Sequence, residues 1–235
     1  MSINNDLYNA IESNESIKDK PDFAEKLLFA KAIYDTYDVN YSFDNIINII
    51  KTIKIEKADE NHTISYDSKT NTLTLGDSPI DKDYNYYKSF LQITSQSYNE
   101  DTKSYNNGII YKDIDNKEYG TKINDLLISE LITINTGLQE GKKENEEITP
   151  INPLDTIIRD CLSITGYNKL ITYFAYGQGD KIFNLISSVL GDETTKNFYS
   201  SIDNYYSNPK KNELIYNMCI NALVNSIDKD NGLKM

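Results

Sequence analysis

The chain has 235 residues, 39% of them hydrophobic and 26% charged, a composition that excludes intrinsic disorder and is typical of a globular protein. Its formal net charge of −12 repels phosphate backbones, so sequence-independent binding to nucleic acid is disfavoured. No apolar run approaches the roughly 18 residues of a membrane-spanning helix, and the N-terminal segment lacks the basic and apolar regions of a signal peptide. We therefore expect a protein without nucleic-acid or membrane partners.

The two cysteines, Cys161 and Cys219, both lie within apolar helical patterns. Buried thiols of this kind are typical of a reducing compartment, so the sequence predicts a cytoplasmic protein. Neither cysteine has a second Cys or a His at the spacing of a zinc site. We expect no bound cofactor.

The first third of the chain has the pattern of helices. Residues 19–38 carry Pro21 near a helix start and apolar side chains at helical spacing behind it. A second helix begins at Ser42, a suitable N-cap, and continues with a stripe of isoleucines.

Two β-hairpins are predicted after these helices. Residues 62–77 alternate, with Ile64 and Tyr66 on one arm and Leu73 and Leu75 on the other. Residues 105–122 repeat the pattern, and the segment's sequence, "YNNGIIYKDIDNKEYGTK", places Ile109 and Tyr111 in one strand and a turn near Asp115 and Asn116.

Helices fill the remaining positions. One runs from about residue 81 to 97 between the hairpins, and another precedes Gly137. A charged loop at 139–152 then leads into a series of helices. The sequence thus predicts an α+β fold, with N-terminal helices, two hairpins flanking a buried central helix, and a C-terminal helical bundle. We expect an α+β part at 1–138 and a helical part at 153–235 packed on the same domain.

The central helix, "NYYKSFLQITSQSY", has apolar groups on nearly every side. Its polar positions include Lys88, Gln92 and Ser95, at i, i+4 and i+7, with Ser89 beside them. Broad burial of a helix that carries a lysine, a serine and a glutamine raises the question of what these side chains do there.

This order of elements resembles the zincin metallopeptidases, in particular the gluzincin pattern of H-E-x-x-H on one helix and Glu on a later one. More narrowly, it is similar to a group of small proteins of low-GC bacteria with a segment like "HELLHxAS", a hairpin, and a helix opening "NEG". Here "KSFLQITS" matches the first motif through Ile93, Thr94 and Ser95, and Asn124 occupies the Asn position in "KINDLLISEL". The resemblance covers roughly residues 62–205 and implies a zincin-like fold.

The metal ligands of that family are absent. The first His, the Glu and the second His fall on Lys88, Ser89 and Gln92, and the third ligand falls on Asp125. A lysine ammonium has no lone pair for zinc, and a serine replaces the general base. The single histidine, His62, is expected in a strand upstream. We therefore predict no metal site and no catalytic residues of the zincin type.

Lys88 admits two interpretations. Its ammonium could pair with Asp125 or Glu130 and take the place of the metal charge, since a buried lysine is costly unless it is paired. Alternatively, the aliphatic stem lies over the core while the charge reaches water.

The resemblance implies a non-catalytic, pseudo-metallopeptidase-like protein with a binding or regulatory role. Its residual cleft would lie between the helix of Lys88, Ser89 and Gln92 and the helix of Asn124, Asp125 and Ser129. Strand 71–75 would be the cleft's upper edge and could accept an extended peptide or protein segment.

Two alternatives belong to other classes. One is a metal-independent hydrolase that uses Lys88, Ser89 or Asp125, because a desolvated lysine beside a serine can act as a base. The other is an interaction or structural protein with no zincin relationship, which the lack of a hairpin beside the helix at 81–97 would favour.

Overall fold

The computed structural model describes residues 5–78, 81–99, 104–140, 166–204 and 208–232. In these ranges the chain is a mixed α+β protein in which helices predominate. The helices are α1 (Asn5–Ser13), α2 (Pro21–Asp35), α3 (Ile47–Thr52), α4 (Lys82–Thr94), α5 (Thr121–Thr136), α6 (Tyr167–Ala175), α7 (Gly179–Leu190), α8 (Asp192–Asp203) and α9 (Pro209–Gly232). The strands are β1 (Lys54–Lys57), β2 (Ser65–Asp67), β3 (Thr72–Leu75), β4 (Gln96–Asn99), β5 (Ser104–Asn107), β6 (Tyr111–Lys112) and β7 (Glu118–Tyr119).

The chain divides into two compact units. The first comprises Met1–Asn107 and Ile128–Pro150, and the second comprises Gly108–Leu127 and Ile151–Met235. Helix α5 contributes its first turns to the second unit and its remainder to the first. Most of the predicted loop at 139–152, and the helix predicted just after it, lie outside the described residues.

The core of the first unit forms where α2 packs on α4. Phe23 and Phe90 are fully buried and meet edge to face, with ring centroids 5.0 Å apart. Helices α1 and α3 pack together and bury Leu7, Ile49 and Ile50. Each of these large side chains contributes roughly 1.5–3 kcal/mol by its removal from water. The apolar spacing that predicted α2 therefore marks its core face.

A three-stranded sheet of order β1-β3-β2 belongs to the same unit. The first predicted hairpin is confirmed, since β2 and β3 pair antiparallel with Tyr66 opposite Leu73. Asn71 takes a left-handed φ of 51° at the end of the connecting turn. Strand β1 was not predicted; it pairs parallel to β3 with Ile55 opposite Leu73.

Helix α4 ends earlier than its apolar pattern indicated. The tyrosine hydroxyl of Tyr41 donates to the Thr94 carbonyl at 2.6 Å, and the chain then enters β4, which pairs with β5. The extension of the helix to residue 97 or 98 is therefore wrong. The amide of Gln96 donates to the Tyr66 hydroxyl at 2.6 Å, which satisfies a polar side chain buried beside the sheet.

The second unit contains the second predicted hairpin, formed by β6 and β7. The Asp113 carboxylate accepts the backbone N–H groups of Asp115 and Lys117 at 3.0 and 2.9 Å, and this closes the turn. Ile109, expected in the first strand, precedes it. Tyr111 stacks on Phe183 with centroids 3.7 Å apart, which joins the hairpin to α7.

Helices α6 to α9 complete this unit. Helices α7, α8 and α9 pack on one another, and α6 packs on α7. Among the described residues, no helix is both long and apolar enough to cross a membrane.

Candidate functional site

Helix α4 carries Lys88, Ser89 and Gln92, the three side chains that the sequence places at the zincin motif positions. It begins after Asp81, whose φ of 53° is left-handed, and it packs against α2 and β2. Its fully buried positions include Phe90, Leu91 and Ile93. Strand β2 of the first hairpin therefore lies beside this helix.

Lys88 is only partly buried, with 24% of its side chain exposed. Its ammonium lies 3.9 Å from Oε1 of Glu140, whose side chain is 60% exposed. At this distance the two groups form an ion pair but not a good hydrogen bond. Exposed ion pairs of this kind contribute about 0–1 kcal/mol to the stability of the fold. This geometry agrees with the interpretation in which the aliphatic stem of Lys88 lies over the core and its charge reaches the solvent, here beside the exposed Glu140 carboxylate. The pairing with Asp125, which lies in the second unit, stays a prediction.

Ser89 is buried and bonded within its own helix. Its side chain is 1% exposed, and its hydroxyl donates to the backbone carbonyl of Asn85 at 2.8 Å. Serine hydroxyls in helix interiors commonly make this bond one turn back. The donated proton is thus directed along the helix rather than toward a base or a substrate.

The other α4 and α5 candidates in the first unit differ in exposure. Gln92 and Ser129 are half-buried, and Glu130 is 9% exposed. Ser95, one turn beyond Gln92, donates from Oγ to the amide oxygen of Asn107 at 3.1 Å on β5. This bond ties the end of α4 to the β4–β5 hairpin, so Ser95 has a structural role.

Asn124 also has a structural role, in the second unit. Its amide oxygen accepts the backbone N–H of Ile109 at 3.0 Å, and the side chain is 2% exposed. Gly108 makes room for this contact, because a Cβ there would collide with the Asn124 oxygen and lie 2.8 Å from the Phe174 ring. The adjacent Asp125 is half-buried.

Strand 71–75 cannot serve as the edge that the sequence indicated. Its structural counterpart, β3, is the central strand of its sheet, with β1 parallel on one side and β2 antiparallel on the other. It therefore pairs with β1 from Thr72 to Leu75 and with β2 from Thr72 to Thr74. This prediction is wrong because it did not include β1.

The sheet does have an exposed edge at β1. The N–H groups of Lys54 and Ala58 donate to Asn71 and Leu75 at 2.9 and 3.0 Å. Because successive residues of a strand point their backbone groups to opposite sides, those of Ile55 and Lys57 point away from β3. In the part of the chain that the structure describes, no strand pairs with this side of β1.

His62 lies in the loop before β2 and not in a strand. Its Nδ1 is 2.5 Å from the Asp59 carboxylate, and this hydrogen bond lowers the pKa of that carboxyl. Both side chains are more than half exposed. Among the described residues, no three His, Cys, Asp or Glu side chains are grouped to hold a metal ion.

No protein-family model, curated protein or solved structure matches this chain. The resemblance to zincins is a prediction from the sequence.

Proposed function

We propose that this chain is a non-catalytic binding protein on a zincin-like arrangement of elements. Lys88 and Ser89 fall at the positions of a metal ligand and of the general base. Lys88 lies beside the exposed Glu140 carboxylate, and Ser89 is hydrogen-bonded within α4. Ser89 supports the proposal most directly, because its buried hydroxyl donates to Asn85 inside α4. Two cysteines in apolar patterns are in keeping with a cytoplasmic location.

The geometry of α4 favours binding over metal-independent hydrolysis. A serine nucleophile requires a base within hydrogen-bond reach, and a lysine base requires a desolvated amine. The Lys88 ammonium instead lies beside the exposed carboxylate of Glu140, and Ser89 donates to a carbonyl. Neither group has the surroundings that activate it.

The proposed ligand is an extended peptide or protein segment, bound by addition of a strand to β1. The outward N–H and C=O groups of Ile55 and Lys57 would form the hydrogen bonds of that strand. Charged side chains at Lys54, Glu56 and Lys57 protect such an edge from indiscriminate pairing, so the segment must match them. The peptide-binding strand proposed here is therefore β1, whereas the sequence suggested β3.

A zinc titration tests the non-catalytic part of the proposal. Tag-free protein is analysed for bound metals and then titrated with zinc in a calorimeter. We expect no stoichiometric zinc and no saturable heat. Tight binding of one zinc ion per chain would overturn the assignment of Lys88, Ser89 and Gln92 as replaced ligands.

A peptide selection tests the binding part. Short random peptides are selected on the wild-type protein, and enriched sequences are measured against the variants Lys57→Pro and Lys57→Ala. Proline removes the outward N–H of residue 57 but is compatible with an edge strand. We expect Lys57→Pro to weaken binding at least about tenfold, and Lys57→Ala to weaken it much less.

Two outcomes contradict strand addition at β1. One is that no peptide is enriched with micromolar affinity. The other is that enriched peptides bind Lys57→Pro as tightly as they bind the wild type, which would place the peptide elsewhere.

A further inference from the structure

A groove in the second unit is separate from every residue discussed so far as a candidate site. Its volume is about 530 Å³, and it lies between the end of α7, helix α8 and the first half of α9. The lining residues are Val189, Leu190, Thr194, Asn197, Lys211, Ile215, Met218 and Ala222. Small-molecule sites in proteins commonly have volumes of about 300–1,000 Å³ and mainly apolar walls.

The sequence forms this groove by local means. Gly191, with φ of 80°, is the single residue between α7 and α8, so the last turn of α7 lies directly beside the first turn of α8. On α9, the lining positions 211, 215, 218 and 222 recur every three or four residues and share one helical face. The groove is therefore walled by regular helices.

Its apolar wall is not covered by the described residues. Val189 is 41% exposed and Met218 is 65% exposed, and Leu214 beside them on α9 is 62% exposed. Single exposed apolar side chains are ordinary, but a contiguous group of them in a concavity marks a binding surface. Methionine is well suited to such a wall because its flexible thioether adapts to different shapes.

The groove contains one positively charged side chain. Lys211 is the one charged residue among those that line it, and its neighbours Thr194 and Asn197 are neutral. Lys211 makes no salt bridge with the residues that the structure describes. In a chain with a net charge of −12, this groove therefore presents a positive charge next to an apolar wall.

We propose that the groove binds a small amphiphilic anion. The apolar body of the ligand packs on Val189, Ile215 and Met218, and its carboxylate or similar head group lies at the Lys211 ammonium. Charge-assisted hydrogen bonds to a lysine are stronger than neutral ones, so the head group fixes the orientation of the ligand. This inference does not depend on the function proposed for β1.

The experiment uses two probes of equal chain length and opposite charge, decanoate and decyltrimethylammonium. Each is titrated calorimetrically into the full chain at low ionic strength. We expect saturable binding of decanoate at one site and at least about tenfold weaker binding of the cation.

Three variants locate the site. We expect Lys211→Gln to weaken decanoate binding about tenfold and to leave the weak binding of the cation unchanged or improved. Lys210→Gln is the matched control, because Lys210 is the preceding, exposed residue of α9 and does not line the groove. Met218→Ser removes apolar wall and should weaken both probes; its exposed position makes it tolerable for folding.

Other outcomes overturn the proposal. Equal affinity for the two probes, or equal effects of Lys210→Gln and Lys211→Gln, would show apolar adsorption without recognition of the anion. Lack of saturable decanoate binding by a folded wild-type chain would reject the site. A concentration-dependent dimer that Met218→Ser abolishes would assign the groove to a second copy of the chain.

Discussion

The Asp203 carboxylate accepts the backbone N–H of Lys122 at 2.8 Å, across 81 positions of the sequence. The other carboxylate oxygen accepts the N–H of Gly120 at 2.8 Å, and the Thr121 hydroxyl donates to the same carboxylate at 3.3 Å. The first N–H groups of a helix have no partner inside it, and a negative charge there also interacts favourably with the helix dipole. Asp203 at the end of α8 therefore caps α5 from a distance.

Replacement of this cap should destabilise the start of α5. We expect Asp203→Ala to lower the free energy of unfolding of the second unit by about 1–2 kcal/mol, as for other lost N-caps. Hydrogen exchange of the amides at 120–124 should accelerate, and Asp203→Asn, which keeps one acceptor oxygen, should show a smaller effect. Asp180→Ala, at an exposed acid in the first turn of α7, is the control. Equal losses in the two alanine variants would contradict the role of Asp203 as a cap.

Asn124 and Gly108 should be energetically coupled. Asn124→Ala leaves the Ile109 N–H buried without its partner, which costs about 1–3 kcal/mol. Gly108→Ala introduces a Cβ against the Asn124 oxygen and the Phe174 ring, at a φ of 55°. We expect the double variant to lose less stability than the sum of the single losses, because Asn124→Ala removes one of the two obstacles. Denaturant unfolding of all four proteins measures the coupling.

Gly137→Ala is a control for Gly108→Ala, because it introduces backbone strain without a steric collision. Gly137 has a φ of 75°, but a Cβ there would meet no atom within 4 Å. Its loss should therefore reflect the left-handed backbone alone, about 1 kcal/mol. A loss at Gly108 no larger than that at Gly137 would contradict the predicted collision.

Patterns of apolar residues in the sequence predicted those helices and strands that bury a continuous apolar face of their own. Alternation gave the β2–β3 hairpin, and helical spacing gave α2, α4 and α5, because these elements bury one continuous face. Strand β1 has a single apolar residue, Ile55, and is stabilised by parallel pairing with a distant segment. Strands β4 and β5 are polar, so their period is not visible in the sequence. The α4 pattern therefore extended past Thr94 into β4.

The candidate site shows the same limit. The sequence placed Lys88, Ser89 and Gln92 on one helix, but not their partners. The Asn85 carbonyl is a common local partner for a serine one turn later in a helix, whereas the Glu140 carboxylate is reached only through the path of the chain beyond α5, which has no local signal. The groove had a partial signal in the spacing of Ile215, Met218 and Ala222, which looks the same as an ordinary core face. A groove wall differs from a core face in the exposure of its side chains to solvent, and that exposure depends on how distant parts of the chain pack.

Two buried tyrosines, Tyr34 and Tyr199, and the half-buried Tyr66 should make the fold sensitive to alkaline pH. Burial raises the pKa of Tyr34, Tyr66 and Tyr199, in each case as the largest cause. A raised pKa in the folded state means that the unfolded chain loses its proton first. Stability is therefore complete below about pH 10, the ordinary tyrosine value, and falls as the pH rises from there toward the folded pKa.

The variant Tyr34→Phe isolates one of these groups. Each tyrosine contributes a slope of about 1.4 kcal/mol per pH unit in that window, so the variant should lose stability less steeply than the wild type. It also removes the hydrogen bond to Thr94, which lowers stability at neutral pH. Unfolding free energies at several pH values above neutrality give the slope, with Tyr8→Phe as the control at an exposed tyrosine. An unchanged slope in Tyr34→Phe would contradict the assignment.

Lys88 provides the test that separates its two interpretations. With an exposed partner 3.9 Å away, the Lys88–Glu140 coupling energy from a double-mutant cycle should be below about 0.5 kcal/mol. Lys88→Met should then change stability by less than about 1 kcal/mol, because the methionine still covers the apolar surface under the stem. The cycle uses Lys88→Met, Glu140→Gln and the double variant in denaturant unfolding.

A double-mutant cycle with Lys88→Met and Asp125→Asn tests the other interpretation, in which Lys88 and Asp125 form a buried ion pair with a large coupling energy. If Lys88 replaced a metal charge beside Asp125, removal of either partner would leave the other charge uncompensated and cost about 3–5 kcal/mol. A coupling near zero would support the interpretation in which the Lys88 stem lies over the core and its charge reaches water. A large coupling would support the buried-pair interpretation and would make α4 a site in which a lysine stands in for the metal ion.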